Sequence, residues 1–162
     1  MLRIAGALAV LAIGATAVWA QNLDVIKQRR EVMRTIYKTS SINFGMLQGK
    51  TPFDLATVQS NLKTMQSEIS TFKDLFPDNS KTGGGTDADA TIWTARAEFN
   101  KAIDNYVAVV RTTASAIKDE ASLKSEYPKL VRNGCGGCHK GTNDGFSPKL
   151  GDSVKKLEQP LQ

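Results

Sequence analysis

The chemistry of this chain is concentrated in five consecutive residues, Cys135-Gly136-Gly137-Cys138-His139, which hold both cysteines and the single histidine. Two thiols on one helical turn can reach the two vinyl groups along one porphyrin edge and form thioethers. The next residue then sets an imidazole beneath the iron as proximal ligand. This is the attachment sequence of a c-type haem. Gly136 and Gly137 keep the backbone close to the ring without side-chain obstruction. Competing chemistries fit less well. Structural zinc wants four nitrogen or sulfur ligands, and these residues offer fewer. A thioredoxin-like Cys-x-x-Cys opens a helix after a strand, and no strand-like alternation precedes this one. A disulfide across so short a loop would add little stability.

A haem motif needs a frame, and the apolar spacing supplies it. Leu55, Val58, Leu62, Met65, Ile69, Phe72 and Phe76 recur at intervals of three and four, the seam of a helix packed in a bundle. Pro52 and Asp54 mark its start and Pro77 its end. A first helix, from about Leu23 to Leu47, carries Val25, Ile26, Val32, Met33, Ile36, Tyr37, Phe44 and Leu47 on its apolar face. A third, from about Asp89 to Lys118, carries Ile92, Phe99, Ile103, Tyr106, Val110 and Ile117. The fourth starts at Ser122 or at Pro128 and ends near Lys140, with Pro128 either restarting the helix or kinking it. One longer loop, Asp78 to Ala88, holds Gly83-Gly84-Gly85. Short connections make neighbouring helices antiparallel. The expected fold class is therefore all-α, an up-down-up-down antiparallel four-helix bundle with covalently attached haem c.

The two ends of the chain read differently. Arg3 is followed by an apolar run from Ile4 to Val18, and small residues close it at Val18 and Ala20. That is the pattern of a secretory signal peptide, and its run of about 15 residues falls short of the roughly 20 that span a bilayer. Cleavage after Ala20 divides the chain into a signal peptide at 1–20, a cytochrome bundle at 21–144 and a polar tail at 145–162. The mature protein would carry 20 basic and 16 acidic residues, a formal +4. It would work in the periplasm, with no membrane insertion after cleavage. Basic residues form no stripe interleaved with aromatics, so a nucleic-acid partner is not expected.

The sixth position on the iron sets the function. With one histidine in the chain, bis-His ligation is excluded. A Met/His pair raises the reduction potential and suits electron transfer, whereas an apolar residue leaves the iron open to a small gas. In this bundle the start of the first helix lies beside the end of the fourth. Met33 sits about 15 Å along the first helix, and Met46 lies about 20 Å further on, too far away. Met65 falls at nearly the level of Met33, so spacing leaves both open.

These residues resemble the class II cytochromes c, the cytochrome c' family, from Leu23 to His139. The likeness rests on the C-terminal haem motif and on Arg29-Arg30-Glu31-Val32-Met33 in the first helix. It rests further on Leu75-Phe76-Pro77 closing the second helix and on Ile92-Trp93 with Ala97-Glu98-Phe99 opening the third. The resemblance implies one covalently bound haem c on Cys135 and Cys138, with His139 as axial ligand. High-spin, gas-binding members usually carry an apolar residue at the position of Met33, and a low-spin branch carries a ligating Met. This chain looks like that branch, which favours Met33 over Met65. The resemblance also implies that a basic residue, Arg29 or Arg30, pairs with a haem propionate. Pairing through the first two helices puts a homodimer among the expectations. One departure is that Lys140-Gly141-Thr142 follows His139, where the family usually places an aromatic and then a basic residue slightly further on.

Two functions follow. The first is a periplasmic monohaem electron carrier with His139/Met33 ligation, serving redox partner proteins to which its lysines steer it. The alternative is a five-coordinate protein that binds nitric oxide or carbon monoxide, with Met33 only lining the distal pocket. Neither requires an enzyme, and no second histidine or paired carboxylates stand beside the motif to suggest one.

Overall fold

The computed structural model describes the backbone of residues 13–139 and the side chains of residues 23–139. Most of the expected signal peptide, Lys140 and the tail at 145–162 lie outside the described residues. Every regular element among the described residues is helical. Helix α1 spans Ile13–Leu47 and α2 spans Leu55–Ser70. Two 3-10 turns follow, Phe72–Leu75 and Asp78–Ser80. Then come α3 (Thr91–Thr94), α4 (Arg96–Ala116) and α5 (Glu120–Leu130), a π turn over Val131–Cys135, and α6 (Gly136–Cys138). Helices α1, α2, α4 and the run from α5 to α6 are the four helices of the bundle.

Caps explain the helix starts. Asp54 has extended backbone and accepts from the Ala56 and Thr57 amides, so Pro52 lies outside α2. At α5, Asp119 accepts from the Ser122 amide at 2.7 Å while the Ser122 hydroxyl accepts from the Asp119 amide at 3.0 Å. Helix α5 therefore begins at Glu120, and Pro128 sits inside it. Pro128 brings no N–H to the ladder, and three residues later the helix widens into the π turn.

Two helices are shorter than the apolar spacing suggests. The second ends at Ser70, and Phe72 enters a tighter 3-10 turn that keeps both Phe72 and Phe76 buried. The third is broken at Ala95, with φ −120° and ψ 54°. On either side of the break, the Trp93 indole and the Arg96 guanidinium donate to the same Phe76 carbonyl, both at 3.1 Å. That competing acceptor is remote in sequence. Tyr37, expected on the apolar face of α1, is 67% exposed.

The core runs the length of the bundle through Leu62, Met65, Ile103, Val110, Leu123 and Leu130. At one end the Tyr127 hydroxyl donates to Ser40 Oγ at 2.9 Å and its ring meets Phe44 edge-on, while Asn61 donates to Asn43 at 2.8 Å. Burial favours the neutral form of Tyr127, so it remains a donor there. Buried residues on three helices thus meet away from the haem motif, leaving the opposite end to hold a cavity.

The cap carboxyls tie stability to pH. Hydrogen bonds from Thr57 to Asp54 and from Ser122 to Asp119 hold both groups below their ordinary value of 3.8. A depressed folded value stabilises above the unfolded one and is lost as pH falls through it. The thermal midpoint should drop as pH falls below 3.8. An Asp54→Asn/Asp119→Asn double variant keeps cap acceptors that do not titrate. Circular dichroism melts at about pH 6 and about pH 3 should show a smaller drop for it than for the parent.

Candidate functional site

A cavity of about 180 Å³ opens at the end of the bundle where the haem motif lies. Ile26, Met33 and Ile36 of α1, Ile69 of α2 and Phe99, Ile103 and Tyr106 of α4 line it, with Phe72, Phe76 and Ile92 beside them. Cys135, Cys138 and His139 stand on the same wall system, and Arg29, Arg30 and residues 85–88 complete it. The π turn and α6 carry both thiols, and the His139 amide donates to the Cys135 carbonyl at 3.0 Å as the chain leaves the helix. Gly134 makes a close approach here: a Cβ would stand 3.2 Å from the Tyr106 ring, so the ring would have to give way. Cys138 is buried enough that its thiol is pushed up to about 11. That is the reverse of the lowered value a thiolate redox site needs.

The structure brings together most of the residues singled out from sequence. Met33 lines the cavity and is half-buried. Met65 is fully buried in the core and is not among the lining residues. Met46 is buried too, far along α1 from Met33. Trp93 does not line the cavity; it packs edge-on against Phe76 with ring centres 5.8 Å apart.

Arg29 is neither on a solvated face nor presenting an open fork. It is 4% exposed and lies over the Phe76 ring at 4.5 Å. Its Nη1 donates to the Leu75 carbonyl and Ser80 Oγ, and its Nη2 to the Ser80 carbonyl and Thr86 Oγ1, at 2.9–3.2 Å. Burial lowers its pKa to about 10, so it stays a cation at neutral pH. Arg30 is exposed at the mouth and donates one longer bond, 3.3 Å, to the Gly84 carbonyl. Two consecutive arginines therefore tether the loop that forms one cavity wall. Gly83, Gly84 and Gly85 all have positive φ, which lets that loop turn back towards α1. Sequence periodicity did not point to this brace, because its acceptors lie 46–57 residues from Arg29.

Sequence reasoning also missed what is special about Tyr106. It counted as one more apolar position on α4, yet its buried hydroxyl has no hydrogen-bond partner among the described residues. That orphan, two thiols, an imidazole and apolar walls on three sides fit a flat, largely apolar group bound through sulfur and nitrogen. The site and fold together define a haem protein of the c type built on a four-helix bundle.

Comparison with known proteins agrees. The family model described as Cytochrome C' matches residues 24–141. Cytochrome c' of Rhodopseudomonas palustris (strain ATCC BAA-98 / CGA009) is 35% identical over 138 residues, covering 85% of this chain and 93% of its own. Cytochrome c-556 of the same strain is 28% identical, covering 89% and 98%. The solved structure of cytochrome c' from Rhodopseudomonas palustris superposes with a TM-score of 0.68 at 35% identity, covering 72% of this chain and 92% of that one. The chain belongs to the cytochrome c' family. It is a monohaem cytochrome, and its cofactor is one covalently bound haem c.

Unequal roles for the two arginines make a direct test. Replacing Arg29 with Met strands four acceptors and should cost about 2–3 kcal/mol in urea unfolding. It should also speed tryptic cleavage at Lys81. Arg30→Ala loses one exposed bond and should change stability by less than about 0.5 kcal/mol.

Proposed function

We propose that this chain is a periplasmic, five-coordinate cytochrome c' that takes a neutral diatomic gas, nitric oxide or carbon monoxide. The observation that carries this reading is the apolar cavity itself, which puts the only histidine on one wall and offers no second imidazole. The relatives add support, because the more similar of the two curated relatives named above is a cytochrome c' at 35% identity. Thus they favour the gas-binding alternative over the electron carrier that the sequence put first. When bound, haem c supplies an iron with a vacant position for a small ligand.

The chain's own residues have clear tasks in this reading. Cys135 and Cys138 hold the ring edge as thioethers, and His139 is the proximal ligand. Ile36, Phe72, Phe76 and Met33 line the chamber with apolar surface that keeps water out. Arg30, exposed at the mouth, is the better placed cation for a haem carboxylate. Arg29 is already committed to protein acceptors and acts by its charge and by holding the loop.

One observation favours a second reading, a His139/Met33 electron carrier: Met33, and not Met65, stands on the cavity wall. A thioether there is a soft ligand within the same chamber as His139. The visible spectrum of the reduced holoprotein separates the two. Under the first reading the spectrum is broad, shifts on adding carbon monoxide, and is unchanged by Met33→Leu. A sharp low-spin spectrum that ignores the gas and is lost in Met33→Leu, but kept in Met65→Leu, would replace it with the second.

Export is part of the proposal. In this reading residues 1–20 are removed on export, and among the described residues no helix is long and apolar enough to cross a membrane. Mass spectrometry of the haem-stained band should give a mature chain that starts at Gln21. An N-terminus at Met1 would overturn the cleavage.

A further inference from the structure

Three buried side-chain atoms among the described residues lack a hydrogen-bond partner: Asn43 Nδ2, Asn100 Oδ1 and Tyr106 Oη. Only Tyr106 belongs to the haem cavity. Its side chain is 4% exposed, so bulk water does not satisfy the hydroxyl. Leaving such a donor unmet costs about 1–3 kcal/mol, whereas a phenylalanine would fill the same space at no such cost. A helical side chain leans towards the N-terminus of its own helix, which carries Tyr106 towards Ile103 and Phe99, both cavity residues. The ring edge lies against Gly134, the residue before Cys135. Burial, with the Cys135 thiol as the next contributor, holds the hydroxyl in its protonated form, so it is a donor.

We propose that Tyr106 is the internal hydrogen-bond donor of the haem cavity, its Oη donating to a lone pair that arrives beside Cys135 and Cys138 when haem is bound. The acceptor is not a haem carboxylate. The thioethers anchor the opposite edge of the porphyrin from its carboxylates, and Tyr106 packs at the thioether end. Two sources of the lone pair remain, a thioether sulfur and a diatomic held on the iron. The first is independent of the sixth ligand. The second rests on the five-coordinate reading and makes Tyr106 a residue that selects for gases with negative charge on the outer atom. Either way Tyr106 acts on the group in the cavity without contributing a ligand to it.

The test is Tyr106→Phe in the haem-loaded protein, which keeps the ring against Gly134. The first arm is the reduction potential without gas. Donation to a thioether sulfur withdraws electron density from the ring and favours the reduced state, so the variant's potential should fall. The second arm is the carbon monoxide complex of the ferrous protein. Donation to the bound gas weakens the C–O bond, so in the variant the C–O stretch should rise. Gas release should also quicken about five-fold, equivalent to about 1 kcal/mol. A change in the first arm assigns the sulfur; a change in the second assigns the gas. If the parent binds no carbon monoxide, the five-coordinate reading fails and the first arm alone decides the role of Tyr106. An unchanged potential, together with an unchanged stretch wherever gas binds, overturns the proposal. A change in stability alone counts as the same negative result, since it is what packing would produce.

Discussion

A buried cation holds the working end of this bundle open. Arg29 projects from α1 beneath the 75–86 loop, stacks on Phe76, and donates to two carbonyls and two hydroxyls of that loop. Without it, Leu75, Ser80 and Thr86 would present polar atoms to an apolar interior. The loop would then move outward to hydrate them or inward to fill the space. Fixing the loop fixes Phe76, and Phe76 orders much of what surrounds the cavity. Its ring meets Phe72, Trp93 and Phe99 edge-on, and its carbonyl accepts from Trp93 and Arg96. The break at Ala95 belongs to the same arrangement, since both donors flank it.

The other end of the bundle does the opposite work. There the Tyr127–Ser40 and Asn61–Asn43 hydrogen bonds join helices that are remote in sequence. Such buried pairs penalise any slip of one helix against another, because each slip would strand a donor or an acceptor. A bundle pinned in register at one end and braced around a chamber at the other can hold a rigid planar group. The helix that carries the thiols changes from α to π as it enters the chamber, with the Gly136 amide reaching back to the Val131 carbonyl. π turns recur at functional sites, and this one spaces the attachment residues from the packed face of α5.

Much of this was legible from residue types alone. The haem motif is local, and three- and four-residue spacing located most buried apolar positions of the first three helices, though it named none on the fourth. Even where the element was wrong the burial was right, since Phe72 and Phe76 left the helix yet kept their places in the core. Legibility ended where partners are distant. Arg29 reads as a partner for a haem propionate until Ser80 and Thr86 are brought to it. Met33 and Met65 stand at one level of the bundle and differ only in direction, which exists only once α1 and α2 are packed. Tyr106 looks apolar by position, and its hydroxyl gains meaning from having no neighbour to bind. The family was legible as well, since the haem motif and the flanking helix residues already resembled the cytochrome c' family whose model matches residues 24–141.

The neutrality of Arg29's partners has a consequence for the chemistry. Carbonyl and hydroxyl acceptors orient around a cation without cancelling its charge, unlike a carboxylate. The four acceptors of Arg29 are two carbonyls and two hydroxyls. Burial lowers its pKa only to about 10, so the charge persists across the physiological range. The field therefore remains in a chamber whose walls are apolar and poorly screening, where a fixed charge acts over a longer reach than in water. Such a field favours whichever state of the bound group carries more negative charge. With haem bound, such a field would favour the ferrous state over the ferric, and a carboxylate at the mouth over its acid. An ion pair in place of this brace would hold the loop equally well but would lose that bias. Using neutral acceptors lets one side chain support the cavity wall while remaining a cation.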